Sequence, residues 1–253
     1  THAILGQNLP DWINDWGSEH LYRPGLFLNL LVLKLPYLAF DLLTLYLLSK
    51  MLNVKWKMIN ILWLYNPVSF YAIYATGQFD ILPVFFTVLS LYLYQKQKYS
   101  YSAISLSLGA LLKTYPLLLL PALFISTPKF IDKFKVIVIS LGFGALTLWL
   151  APQSNLTMKI LSLGIPISGS QSILFFPFTY FLALWLLFKN PGKLIWFYFV
   201  TTISVITFSQ FHFQWVLWSL PFLVIFITRS KSIIFPALGF TSLAFLHQFL
   251  LND

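Results

Sequence analysis

Residues 101–126 read YSAISLSLGALLKTYPLLLLPALFIS, an apolar stretch that a lysine and a proline interrupt near its middle. Pro116 cannot continue a helix, because it lacks an amide hydrogen and its ring clashes with the preceding turn. The stretch is therefore predicted to break at Lys113–Pro116 into two arms of about 12 residues, each about 18 Å long. Because backbone groups freed inside a membrane need surrounding protein or a watery cavity, the break indicates a cavity beside Lys113.

The rest of the chain is also dominated by apolar segments. The 253 residues are 58% hydrophobic and 9% charged, whereas a soluble domain carries roughly 25% charged residues. Because a spanning helix uses about 20 apolar residues, we predict an all-α, polytopic transmembrane helix bundle of about 9–10 hydrophobic segments, forming one domain over residues 1–253. The other segments are residues 26–49, 58–76, 79–95, 135–151, 173–188, 194–208, 214–228 and 232–250.

The connections between the apolar segments alternate in charge. Most of the 16 Lys and Arg residues lie in one set of short connections, which the positive-inside rule places in the cytoplasm. This topology requires the broken stretch 101–126 to enter the membrane and return, with both ends cytoplasmic. The basic set is Lys50, Lys55, Lys57, Lys96, Lys98, Lys129, Lys133, Lys135, Lys189, Lys193, Arg229 and Lys231.

The two ends of the chain, its basic balance and its lack of cysteine add further expectations. Residues 1–23 carry Asp11, Asp15 and Glu19 among aromatic residues, and we interpret them as an amphipathic loop on the non-cytoplasmic surface. The chain begins at Thr1 without a methionine or an apolar anchor, so we expect a fragment. The net charge of +9 is scattered between apolar blocks, which argues against a nucleic-acid-binding face. The absence of cysteine excludes disulfides and thiolate metal ligands.

Ionisable groups inside apolar segments are costly and are therefore candidates for function. Lys34 and Asp41 lie two helical turns apart, and they either satisfy each other or neighbouring helices or act near a lipid phosphate. Asp80 follows Gly77, a permissive turn residue, and either caps the next helix or, together with Gln78, contacts sugar hydroxyls at the mouth of the cavity.

Two further polar positions have the same ambiguity. Lys113 either extends to the membrane surface or clamps a departing phosphate group. Gln210 and His212 alternate with aromatic residues, and they form either an interfacial spacer or a sugar-binding rim. His212 has no partner at metal-ligand spacing, so the sequence indicates no metal site.

Five groups of residues occur in order along the chain: Lys34-Leu-Pro36 with Asp41, Tyr65-Asn-Pro67, Gly77-Gln-Phe-Asp80, Leu112-Lys-Thr-Tyr-Pro116 with Leu120-Pro121, and Gln210-Phe-His212 leading to Trp218-Ser-Leu-Pro221. Together these strings resemble the GT-C superfamily of multi-pass glycosyltransferases, which use polyprenyl-phosphate sugars. The likeness covers residues 24–225 and is strongest to the bacterial and archaeal branch similar to the phosphatidylinositol-mannoside mannosyltransferases. It is looser to the GPI mannosyltransferases and the dolichyl-phosphate-glucose glucosyltransferases.

The resemblance implies an inverting transferase that moves a hexose, with mannose expected, from a polyprenyl-phosphate donor to a lipid or glycan acceptor on the non-cytoplasmic face. The expected partners are these substrates and membrane lipids, with no nucleic acid, no cofactor and no metal. The expected location is the cell membrane of a bacterium or archaeon, or the endoplasmic reticulum in a eukaryote. The expected site has His212 and Asp80 as catalytic residues, Lys113 and Tyr115 on the donor phosphate, and Gln78, Gln210, Lys34 and Asp41 on the substrates.

The chain departs from the family pattern at its start. The family carries an acidic residue in its first non-cytoplasmic loop, after an initial spanning helix that is missing here. The principal base would then lie upstream of Thr1. Two other classes remain open: a polytopic lipid or sugar transporter or flippase, which also uses broken helices, and a non-catalytic membrane scaffold.

Overall fold

The computed structural model describes residues 26–52, 56–75, 79–150, 169–208 and 213–229, and these residues form helices and turns without any strand. This confirms the all-α prediction for the described part of the chain. Ten α-helices are numbered here in chain order. They are α1 (Leu26–Met51), α2 (Trp56–Leu62), α3 (Pro67–Phe70), α4 (Ile81–Gln95), α5 (Tyr99–Leu112), α6 (Leu120–Ser126), α7 (Phe130–Leu150), α8 (Gly169–Lys189), α9 (Leu194–Phe208) and α10 (Val216–Arg229).

The apolar segment predicted over residues 58–76 is divided into three short elements rather than one helix. Helix α2 ends at Leu62, and α3 begins after Asn66, whose side-chain oxygen accepts a hydrogen bond from the Val68 amide. The segment continues as a π-helical turn, Tyr71–Ala75. Pro67 explains the division, because proline fits the first turn of a helix but not its interior.

The break predicted at Lys113–Pro116 is present. Helix α5 ends at Leu112, Lys113 is extended with φ −146° and ψ 147°, and the 3-10 turn Tyr115–Leu119 leads into α6. Near the other ends of the two arms, the Tyr94 hydroxyl donates to the Ser126 carbonyl at 2.9 Å. The chain therefore runs out along α5 and returns along α6 to the level at which it started.

Close packing holds the outgoing arm against α4. A Cβ at Gly109 would lie 3.2 Å from the Phe86 Cβ, which is tighter than an ordinary contact, and 3.5 Å from the Pro116 ring, which is an ordinary contact. The Ser102 hydroxyl of α5 donates to the Ser90 carbonyl of α4 at 2.8 Å, and this hydrogen bond joins the two helices near the turn at 96–98 that connects them. These contacts fix where the break lies relative to α4.

Among the described residues, two helices are long and apolar enough to cross a membrane, judged by length and composition alone. They are Leu31–Met51 and the combined 3-10 turn and helix Pro191–Phe208. Shorter apolar helices of 10–17 residues accompany them, including Ile81–Gln95, Tyr99–Leu112 and Val216–Arg229. The predicted segment 232–250 and the opening loop 1–23 lie outside the described residues.

Candidate functional site

Asp80 is a fully buried carboxylate at the start of α4. It occupies the N-cap position, but its side chain makes no capping hydrogen bond to the helix backbone. Its Oδ1 instead accepts a hydrogen bond of 2.8 Å from the indole Nε1 of Trp218, a residue 138 positions later in α10. Helix capping, the structural alternative for Asp80, therefore does not account for its position.

Lys113 reaches the same carboxylate from the helix break. Its Nζ lies 3.6 Å from Asp80 Oδ1 and 4.9 Å from the centre of the Phe79 ring. The extended conformation of Lys113 releases its side chain from α5, and both residues of the 79–80 turn hold the ammonium group. The Lys113 side chain is 26% exposed, so its ammonium group contacts the buried carboxylate on one side and faces the surface of the bundle on the other.

An aromatic stack supports this ion pair from inside the bundle. The Tyr115 and Trp218 rings stack at 4.3 Å with an interplanar angle of 14°, and Trp215 stacks on Trp218 at 4.9 Å. Tyr115 is buried, and its hydroxyl lies 3.3 Å from the Thr87 hydroxyl of α4. Trp218 therefore contacts Asp80 through its N–H group and the broken segment through its ring.

The Asp80–Lys113 pair can place one positive charge at the surface of the bundle. A buried carboxylate is costly unless it is paired and hydrogen-bonded, and here the indole N–H and the ammonium group both act on Oδ1. Asp80 is 0% exposed, whereas Lys113 is partly open. Of the pair, Lys113 is the group that can contact an anionic ligand, and Asp80 is the group that orients it.

Asp41 in α1 belongs to a second buried group. Its Oδ1 accepts a hydrogen bond from the Trp63 indole at 2.7 Å, and its Oδ2 accepts one from the Tyr74 hydroxyl at 2.6 Å. Lys34 does not pair with Asp41, because its ammonium group donates to the Tyr74 backbone carbonyl at 2.6 Å. This geometry favours the alternative in which Lys34 and Asp41 satisfy neighbouring helical segments.

The structure thus brings together some of the predicted site residues and separates others. Asp80, Lys113 and Tyr115 meet, although Tyr115 faces the interior and is better placed to position the break than to contact a phosphate. Asp41 and Lys34 are engaged by Tyr74. The remaining predicted residues, Gln78, Gln210 and His212, lie outside the described residues. Within the described ranges, no three His, Asp or Glu side chains are grouped as metal ligands.

Four direct contacts of these groups were not predicted as site residues: Trp218, Phe79, Trp63 and Tyr74. Trp218 and Phe79 occur in the strings that carry the family resemblance. A buried carboxylate must find N–H or O–H donors, and the indole of tryptophan is a donor with a large apolar body. That rule would have singled out tryptophans as partners for the two aspartates inside apolar segments, but not which tryptophan belongs to which.

Comparison of the chain with protein-family models, with curated proteins and with solved structures finds no match in any of the three. The geometry of the Asp80–Lys113 pair and the sequence strings that resemble the GT-C superfamily are therefore the observations that bear on function.

Proposed function

We propose that this protein is a multi-pass membrane glycosyltransferase that transfers a hexose from a polyprenyl-phosphate donor. The observation that carries the proposal is the position of Lys113. The chain breaks a helix at this residue, and the released side chain lies 3.6 Å from a buried carboxylate while remaining 26% exposed. A cation presented in this way suits the phosphate group that departs when the sugar is transferred.

In the proposed reaction, the acceptor hydroxyl attacks the anomeric carbon as the bond to the donor phosphate breaks. The configuration at that carbon inverts, and the phosphate leaves with the electron pair of the broken bond. Lys113 would neutralise the charge that develops on the phosphate. Asp80, held by the Trp218 indole, would keep the ammonium group in place. His212 remains the proposed base that removes the proton of the acceptor hydroxyl.

The membrane location in this proposal draws on several features of the described helices. Two helices have the length and composition of membrane spans, and five shorter apolar helices accompany them. Large apolar side chains are exposed along α7 and α8, including Leu141 at 68% and Phe178 at 65%. In water such surfaces would be unfavourable, but in a bilayer they are ordinary lipid contacts. A lipid-linked donor would then share the bilayer with the enzyme.

A transfer assay with the natural full-length protein tests the proposal. The protein is reconstituted in vesicles, supplied with radiolabelled polyprenyl-phosphate hexose and with lipid extract as acceptor, and the label on new products is measured. We expect wild-type transfer and a loss of about 100-fold in Lys113→Met, the range seen when one charge-stabilising donor is removed from an active site. Uptake of free labelled sugar into the same vesicles without transfer would identify a transporter instead.

The chain provides a matched control for this substitution. Lys135 lies 3.5 Å from Asp132, nearly the same separation as in the Lys113–Asp80 pair, but it is 54% exposed at the start of α7. Lys135→Met removes an ion pair of the same type from the surface, where such pairs contribute little. Equal transfer by Lys113→Met and Lys135→Met would contradict the proposal.

A further inference from the structure

Three lysine-bearing turns lie at one end of the helix bundle. The Tyr94 hydroxyl donates to the Ser126 carbonyl, which places the turn at 96–98 beside the turn at 127–129. The Tyr180 hydroxyl donates to the Leu118 carbonyl at 2.8 Å, and from there α8 and α6 run to their ends side by side. The 3-10 turn Pro191–Lys193 accordingly contacts α6.

We call this end of the bundle the lysine end, and its charge is strongly one-sided. Among the described residues of this end, the only acidic one is Asp132, which is already paired with Lys135 at 3.5 Å. Seven lysines lie at this end: Lys96, Lys98, Lys129, Lys133, Lys135, Lys189 and Lys193.

Aromatic and apolar side chains lie at the same level as these charges. The ammonium groups of Lys96, Lys133 and Lys189 lie 5.4–5.8 Å from the centres of aromatic rings, those of Tyr92, Phe124 and Trp185. At the first turn of α7, Phe130 is 84% exposed and Ile131 is 63% exposed, directly beside Lys129. Lysines with aromatic and exposed apolar neighbours are typical of the boundary between headgroups and acyl chains.

We propose that the lysine end binds the phosphate headgroups of anionic phospholipids in the leaflet that it faces. The ammonium groups supply the positive charge, while exposed side chains such as Phe130 enter the acyl layer beneath the headgroups. A soluble polyanion such as a nucleic acid would leave these apolar side chains in water, so the surface fits a charged membrane better. The inference depends on the proposed membrane location and not on transferase activity.

The experiment measures lipid preference directly. The natural full-length protein is reconstituted in phosphatidylcholine vesicles that contain a trace of spin-labelled phosphatidylglycerol or spin-labelled phosphatidylcholine. The fraction of each label that is immobilised by the protein gives its relative association constant. We expect wild type to prefer phosphatidylglycerol, and the preference to weaken at high salt because exposed charges are screened.

Single substitutions locate the preference on the molecule. Lys133→Gln is expected to reduce it by up to about fivefold, the effect of one basic residue near an anionic surface. Lys133→Arg is the control, because arginine keeps the positive charge at the same position, and it should leave the preference unchanged. A fourfold variant, Lys96→Gln with Lys98→Gln, Lys129→Gln and Lys133→Gln, should abolish the preference.

The possible results distinguish a failure of the lipid-binding inference from a failure of the proposed membrane location. A fourfold variant with wild-type preference, or a Lys133→Arg variant that loses as much as Lys133→Gln, would overturn the lipid-binding assignment. If the protein leaves the vesicles on an alkaline wash, the membrane location itself fails, and the inference fails with it. Neither result depends on sugar transfer, which the separate transfer assay decides.

Discussion

The two buried aspartates of the described structure have the same first partner and different second partners. Asp41 and Asp80 are 2% and 0% exposed, and each accepts a hydrogen bond from a tryptophan indole at 2.7–2.8 Å. At Asp41 the second partner is the neutral Tyr74 hydroxyl, which donates to Oδ2, whereas at Asp80 it is the partly exposed ammonium group of Lys113, 3.6 Å from Oδ1. The second partner is therefore neutral in the first group and a cation that reaches the bundle surface in the second.

The charge of the second partner distinguishes a structural role from a functional one more clearly than the burial of the aspartate does. Buried polar groups of either kind must be satisfied, so the presence of an aspartate inside an apolar segment does not by itself indicate a site. Asp41 holds α1 to the π-helical turn and to the residue after α2, and its two donors complete that task. The Asp80 group holds a charge that has an open side, which is the property that a ligand can use.

The largest expected effect separates the two aspartates by activity. Asp80→Asn keeps an oxygen for the Trp218 indole but removes the charge that orients Lys113, so transfer should fall by about 100-fold. Asp41→Asn should leave the turnover number within about twofold of wild type, because the partners of Asp41, Trp63 and Tyr74, are neutral and present no cation to a ligand. Transfer assays on equal amounts of folded protein provide the comparison. Equal losses in both variants would show that the two groups do not differ in role.

A smaller effect is expected from Trp218→Phe. Phenylalanine preserves stacking against Tyr115 but removes the N–H group that donates to Asp80 Oδ1. A hydrogen bond to a charged group contributes about 1.5–3 kcal/mol, so the turnover number should fall by about 10-fold while the KM for the donor changes less. The matched change Trp63→Phe removes the corresponding bond to Asp41. If it lowers turnover equally, Trp218 has no special role in orienting the site.

The smallest effect concerns stability alone. Tyr74→Phe removes the hydroxyl that donates to Asp41 Oδ2 and should lower the free energy of unfolding by about 1–2 kcal/mol. The turnover number of the folded fraction should be unchanged. Thermal unfolding in detergent, followed by tryptophan fluorescence, measures the first quantity, and transfer after reconstitution measures the second. A Tyr74→Phe variant of wild-type stability with reduced turnover would place Tyr74 in the site, and the Asp41 and Asp80 groups would then not differ in role.

Sequence reasoning located the break at Lys113–Pro116 because the cause is local. A proline within an apolar stretch and a lysine beside it are visible in a short window, and the return of the chain follows from the alternation of basic connections. The Asn66–Pro67 division of the segment 58–76 has an equally local cause, but the continuous apolar pattern around it suggested a single helix.

The partners of the buried charges could not be predicted in the same way. Trp218 is 138 positions from Asp80, and no local pattern links them. Lys34 and Asp41 were considered as partners because they lie on one helix face, yet Tyr74 takes both. The family resemblance implied that Tyr115 contacts the donor phosphate, but the 3-10 turn directs its ring onto Trp218. Pairing of this kind is set by tertiary packing and not by spacing along the chain.

Binding of a polyprenyl phosphate without a sugar tests the role of the Asp80–Lys113 pair most directly. Affinity for this lipid is measured in detergent for wild type, Lys113→Met and Asp80→Asn. Lys113→Met should bind about 10-fold or more weakly, because it loses the cation that meets the phosphate. Asp80→Asn should bind at least as tightly as wild type, because a negative charge beside the ammonium group is gone. Equal affinity in wild type and Lys113→Met, or parallel weakening in both variants, would contradict the assignment and leave the pair a structural contact.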